Sequence, residues 1–325
     1  MKKVKNNCLN IFLFQKKVVY LLYKLITKIK INMKNSIQFS SQQKECIRKG
    51  ALKRQGLIRE AQKAANRVAG KAVREEYLDT ILAGTTGIGK TYNIEKAIKE
   101  LDIPSITLKG NKSMFAFGGD LMLLHSRMPK GTKMALVIDD CDSFFESKEN
   151  INILKGMTGK PGTRQFQYNK KISEHMFTEA QMQVMPQYQT EGMHGFTIST
   201  DDFIFIFTTN FPLPFESDAK EALEKGVSAK ANRLQDLSAI RGRFNVKDYM
   251  LDKDTNWGWI AEVAINDNGL HMLEFESDKM FLLDWIYNNW DNMTETNIRT
   301  IEKMAYEMID YPEEFRDNWE ADFLK

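Results

Sequence analysis

At 325 residues the chain can bury a full α/β core with room for one smaller domain, and 42% hydrophobic with 27% charged residues is ordinary for a soluble globular protein. The net charge of +3 is unevenly spread: residues 1–32 hold eight lysines and no acid, which leaves the body at −5, so no global basic field argues for nucleic acid. Three scattered cysteines (Cys8, Cys46, Cys141) exclude a disulfide framework and fit a reducing cytoplasm, and the dispersed histidines provide no zinc spacing.

The run Asn10 to Ile31 is apolar but broken by Lys16, Lys17, Lys24 and Lys28, so it falls short of the ~20 residues of a membrane span. It lacks a small-residue cleavage site as well. One reading is a cationic amphipathic helix lying on an anionic membrane. The other is a translation of AT-rich upstream DNA, with Met33 as the true start. Residues 33–77 form a basic helical segment, with apolar positions Ile47, Ala51, Ile58, Ala61, Ala65, Val68 and Ala72 at helical steps. Its Lys- and Arg-rich polar face suits solvent first, and DNA or a partner second.

Strand and helix patterns then alternate: a strand at 80–83, a helix at 92–101, a strand at 105–109, a helix near 119–127 and a strand at 134–138. This order predicts a parallel sheet covered by helices on both faces. Residues 163–168 and 195–199 suit two strands of a hairpin, and the run Phe203 to Phe207 suits a buried strand. A surface helix is expected over 217–225. Beyond Arg243 the pattern is helical, at 257–264, 279–290, 295–309 and 312–323, the last with Pro312 in its first turn. The boundary falls near 249–254, which separates an α/β nucleotide-binding domain (78–252) from a helical lid (253–325).

Residues Gly84, Thr85, Thr86, Gly87, Ile88, Gly89, Lys90 and Thr91 complete the pattern G-x-x-x-x-G-K-[ST] between a strand and a helix. Glycines let the backbone wrap phosphate oxygens, and the helix N-terminus points its N–H groups at the anion. Lys90 is expected on the β- and γ-phosphates of ATP and the Thr91 hydroxyl on Mg²⁺. The strand ending in Asp139 and Asp140 supplies a carboxylate for Mg²⁺ and a second one to polarise the attacking water.

Together these motifs resemble the AAA+ ATPases over about residues 78–310. Residues 84–91 match the Walker A loop and Leu136–Asp140 match Walker B, with Asp140 where the family usually has Glu. Asn210, ending Phe207-Thr208-Thr209-Asn210, matches the sensor that orients water. The segment Ser238–Phe244 is similar to the arginine-finger segment, with Arg243 as the finger and Arg241 as the fallback. Arg299, in Thr296–Thr300, resembles the second sensor and would touch the nucleotide in cis. The resemblance implies a parallel-sheet P-loop core with a small helical lid, ATP and Mg²⁺ as ligands, and a homo-oligomer, a ring above all.

Three activities follow from that resemblance. A protein remodeller would grip substrate with Phe115 or Phe117, placed like an aromatic pore loop. A DNA-replication or DNA-packaging accessory of a phage or mobile element, in the host cytoplasm, would use the 163–199 hairpin with Arg164, Lys170 and Lys171. A slow ATP-gated scaffold follows from Asp140 in place of Glu.

Overall fold

The structure is a computed structural model that describes residues 38–70, 79–110, 112–140, 142–172, 176–189, 194–267 and 269–325. The expectations for residues 1–32, for a start at Met33 and for Cys8 and Cys141 lie outside them. Contacts divide the chain into two units: Gln55–Met250, and Leu251–Lys325 together with the described residues up to Arg54. Helix α1, Ser41–Val68, runs through both.

The first unit is an α/β layer built on five strands: β1 Thr80–Gly84, β2 Ser105–Lys109, β3 Met134–Asp139, β6 Phe203–Thr209 and β7 Asn245–Tyr249. They lie in the order β2-β3-β6-β1-β7 and every pairing is parallel. Parallel strands buried on both faces need continuous apolar runs, and β1, β3 and β6 supply them. In β6 the two-residue period sends Phe203, Phe205 and Phe207 to one face. There they meet Phe117 and Phe144, the Phe117 ring centroid lying 5.1 Å from Phe144 and 6.4 Å from Phe205. Helices α2 (Lys90–Glu100), α3 (Met114–Arg127), α4 (Lys148–Met157), α5 (Glu179–Val184), α6 (Glu216–Glu224) and α7 (Ser228–Arg241) complete this unit.

Several elements differ from expectation. Strand β7 stands where only helices are predicted after Arg243. It is an edge strand, half exposed along Asn245-Val246-Lys247, so it carries no apolar run to announce it. Helix α3 begins at Met114, five residues early, because the Ser113 hydroxyl accepts the Ala116 amide and caps the turn. Its Gly118 is a packing site and not a break: a Cβ there would stand 2.5 Å from the Phe166 ring.

The early start of α3 overturns the pore-loop reading. Phe115 and Phe117 are 7% and 0% exposed, on a helix, packed among Tyr168, Phe177, Phe196 and Phe144.

The hairpin forms, β4 (Gln165–Tyr168) pairing antiparallel with β5 (Phe196–Ser199), but of its three basic residues only Lys170 and Lys171 are exposed. Arg164 is 2% exposed, its Nη2 2.8 and 2.9 Å from the two carboxylate oxygens of Asp79 and its Nε 3.0 Å from the Met157 carbonyl. Burial pushes the Asp79 carboxyl up to about 6, while Arg164 and the Phe205 amide hold it ionised at neutral pH. Lys170 pairs with Glu149 at 2.7 Å. The Arg164 contact to DNA is therefore withdrawn, while Lys171 is exposed with no ion pair among the described residues.

The second unit packs α8 (Lys253–Asn266), α9 (Glu276–Asn289), α10 (Ile298–Asp310) and α11 (Phe315–Phe323) on the first half of α1. Helix α11 starts three residues after Pro312, which sits in the turn before it. Trp257 and Trp319 are fully buried, and each indole N–H reaches a helix carbonyl, Leu283 at 3.0 Å and Met304 at 3.2 Å. Gly50 of α1 and Gly258 of α8 let the two backbones touch, since a Cβ on Gly258 would lie 1.8 Å from the Cys46 carbonyl oxygen. Arg54 bridges Glu262 and Asp267 across the same pair of helices.

Candidate functional site

All five strands are parallel, so their carboxyl ends share one edge of the sheet, where open α/β sheets collect ligands. Neighbours β3, β6 and β1 deliver Asp139, then Thr208 to Asn210, then Gly84, side by side.

The loop after β1 depends on its glycines. Gly87 and Gly89 take positive φ, 77° and 78°. Gly84 has another constraint: a Cβ on it would stand 2.6 Å from the Tyr249 carbonyl oxygen at the end of β7. Thr85 N–H donates to that same oxygen at 3.1 Å, so β7 braces the base of the loop. Helix α2 then opens at Lys90 with Gly89 as N-cap and no side chain capping it, which leaves its first amides for an anion. Ile88 is buried and pins the loop, whereas Thr86 is exposed.

Lys90 is 7% exposed. Its ammonium donates to the carbonyls of Gly84 (2.8 Å) and Thr85 (2.9 Å) and to Asn210 Oδ1 (2.9 Å). The other end of that amide, Asn210 Nδ2, donates to Asp140 Oδ1 at 3.3 Å, so Asn210 links the lysine to the second acid. Burial lowers the Lys90 ammonium to about 8, and the carboxylates of Asp140, Asp139 and Asp142 act against the fall. Asp140 has φ +56°, a left-handed backbone uncommon for non-glycine residues and adopted by aspartate more readily than by most. The Thr91 hydroxyl donates to Asp139 Oδ1 at 2.5 Å, and the Thr208 hydroxyl donates to the same oxygen.

Two participants, Thr208 and Asp142, carry no assigned role in the sequence reading. Thr208 joins Thr91 on Asp139. Asp142, in the short 3₁₀ turn Asp142–Phe145, accepts from the Thr209 hydroxyl, and that hydroxyl accepts from the Phe211 amide at 2.9 Å. Both residues flanking Asn210 are thereby held by one carboxylate. The third acid of Asp139-Asp140-x-Asp142 is the signal that could have disclosed it.

The predicted arginines lie elsewhere. Arg241 is committed: its guanidinium donates to the carbonyls of Leu213 and Pro214, pairs with Asp248 at 2.8 Å and stacks 3.8 Å over the Phe215 ring. Arg243 is exposed and donates only to the Lys155 carbonyl, at 2.6 Å, among the described residues. Arg299 is exposed on the first turn of α10 in the second unit, behind the Asn297 cap, with no ion pair among the described residues.

Among the described residues no three His, Cys, Asp or Glu side chains gather as a metal cage, and no helix is long and apolar enough to cross a membrane. A cleft of about 540 Å³ between α4 and β4, lined by Lys148, Asn152, Gln165 and Gln167, includes none of the residues above. No protein-family model matches the chain, and no curated protein matches it either.

Proposed function

We propose that the chain is an ATPase of the AAA+ type, which binds ATP with Mg²⁺ at Gly84–Thr91 and hydrolyses it between subunits of an oligomer. The work done is the remodelling or translocation of a macromolecule. The observation that carries this reading is the convergence of Lys90, Thr91, Asp139, Asp140 and Asn210 on one sheet edge at an uncapped helix N-terminus.

The donor set suits magnesium. Thr91 and Asp139 offer two hard oxygens 2.5 Å apart, and Mg²⁺ takes one or two protein ligands beside substrate phosphates and water, so a cage of three acids is not required. Lys90 against the carboxylates of Asp139, Asp140 and Asp142 leaves a formal charge of about −2, which a divalent cation balances. Bound there, the ion supplies charge neutralisation on the phosphate oxygens. Lys90 holds the phosphates, Asp140 accepts the proton of the attacking water, and Asn210 orients that water. By resemblance to the AAA+ family, Arg243 is the candidate finger for the γ-phosphate of a neighbouring subunit and Arg299 the candidate for the nucleotide in cis.

A slow ATP-gated scaffold is the second reading, and Asp140 favours it: the carboxylate is one methylene shorter than glutamate and is already engaged by Asn210. Equilibrium binding of a fluorescent ATP analogue, with phosphate release measured in parallel, tests both. Lys90→Ala should weaken binding at least about tenfold, and Asp140→Asn should keep binding while cutting turnover about a hundredfold. Wild-type turnover on the order of 1 s⁻¹ removes the scaffold. A wild-type chain that binds no nucleotide removes both.

A further inference from the structure

The cations of this chain are crowded at one end. Residues 1–63 contain 16 lysines and arginines against two acids, Glu45 and Glu60, a formal +14, so residues 64–325 carry −11. Residues 33–63 alone still hold eight cations against those two acids. Charge asymmetry of this kind marks a polyanionic partner.

Helix α1 shows where that charge goes. Its exposed positions carry Lys44, Arg48, Lys49 and Lys53 in the first half and Arg59 and Lys63 in the second. Arg48 takes Glu45 at 2.6 Å and Lys63 takes Glu60 at 2.9 Å. Lys44, Lys49, Lys53 and Arg59 have no ion-pair partner among the described residues. At 1.5 Å per residue, Lys44 to Lys63 spans roughly 28 Å, about eight base pairs of duplex.

The chemistry of the face selects among polyanions. A membrane helix inserts an apolar face, but here Cys46, Leu57, Ala61, Ala64, Ala65 and Val68 are buried in the protein, and Leu52 is the one large apolar side chain left outside. A contact with a second copy would rest on a lysine-rich face without an aromatic anchor, the composition that interface cores avoid. Single strands are gripped by stacking on aromatic rings, and this face has none. The hairpin competes weakly, because Arg164 is buried on Asp79 and Lys170 faces Glu149, which leaves Lys171 as its single exposed cation without an ion pair among the described residues.

We infer that the outer face of α1 is a docking surface for duplex nucleic acid, holding backbone phosphates through Lys44, Lys49, Lys53 and Arg59 without reading sequence. Lysine and arginine on phosphates position a duplex but carry no base information. The inference stands apart from the ATPase reading, since it needs no nucleotide.

The test is fluorescence anisotropy of the full chain, without ATP, on a labelled duplex of about 30 base pairs and arbitrary sequence, between about 50 and 200 mM NaCl. The quadruple variant Lys44→Gln, Lys49→Gln, Lys53→Gln, Arg59→Gln should bind at least about tenfold more weakly at the lowest salt. Its log–log salt slope should be smaller by about 3 to 4, near 0.9 per lost phosphate contact. Glutamine matches lysine in helix propensity, so far-UV circular dichroism should not change. The variant Lys44→Arg, Lys49→Arg, Lys53→Arg should retain both affinity and slope. Equal affinity and slope in the quadruple variant overturn the proposal. So does a wild-type preference for a dT oligomer, or a variant that alters only the mass of the assembly or only binding to phosphatidylserine vesicles. Loss of ATP hydrolysis with duplex binding intact counts against the ATPase reading alone.

Discussion

Lys90 is the residue on which most of the site's electrostatics converge. An exposed lysine titrates near 10.5, but burial brings this one to about 8 even with Asp140, Asp139 and Asp142 nearby. Between about 8 and 10 the unfolded chain keeps a proton that the folded chain has lost, so through this group alone stability rises with pH across that window. The proposed phosphate binding would run the other way, because it draws on the charged ammonium. ATP affinity should therefore fall about tenfold from pH 7 to pH 9, and binding near pH 8.5 should take up a proton. Calorimetry in two buffers of different ionisation enthalpy measures that uptake directly. An affinity flat from pH 7 to pH 9, with no buffer dependence of the heat, would mean that the lysine stays charged. Arg241 and Arg243 show the same principle of local competition. Two residues apart, one is consumed by two carbonyls, a carboxylate and an aromatic ring, and the other stands in solvent with one carbonyl.

At the scale of elements, the end of β6 is held by the turn that follows β3. Asp142 receives the Thr209 hydroxyl, and Thr209 receives the Phe211 amide, so the peptide on each side of Asn210 is fixed before Asn210 meets Lys90 and Asp140. A charged hydrogen bond of this kind contributes about 1.5–3 kcal/mol. If it is used in positioning, Asp142→Ala should lower kcat for ATP about tenfold or more with KM within about twofold, and Thr209→Val should do the same without adding to it. A loss confined to KM would place the clamp in binding instead. The eight residues of the loop and the paired acids after β3 are contiguous patterns, so they were legible without a fold. Asp142 and Thr209 were not, because their contact exists only through the pairing of β3 with β6, which sets Asp139 beside Thr208 across 69 positions of sequence. Strand β7 was hidden for another reason: an edge strand half in water shows no apolar period. The start of α3 was masked by Gly118 and Gly119, which look like breakers until Phe166 and Gln181 are seen filling the space their side chains would need.

For the whole molecule, the component that the proposed ATPase reading still requires is an arginine. Phosphoryl transfer in this chemistry is accelerated by a guanidinium on the leaving or transferred phosphate, yet among the described residues no arginine bonds to Lys90, Asp140 or Asn210. Arg241 is engaged within its own chain, so on that reading exposed Arg243 is the candidate for a neighbour and exposed Arg299 the candidate for the same chain. A finger that acts on a neighbour requires a heterologous contact repeated from subunit to subunit, in a ring or a helical assembly, and this arrangement has a distinctive genetic signature. Lys90→Ala and Arg243→Ala should each be inactive alone, whereas an equal mixture should recover about a quarter of the wild-type rate, since one interface in four joins an intact loop to an intact arginine. A mixture of Lys90→Ala with Arg299→Ala should recover nothing, because a cis arginine cannot be lent across the interface. Steady-state phosphate release, with mixed assemblies verified by native mass spectrometry, reads both. Full activity of Arg243→Ala alone would exclude this residue as the finger. Absence of recovery in verified mixtures would place every catalytic group within one chain.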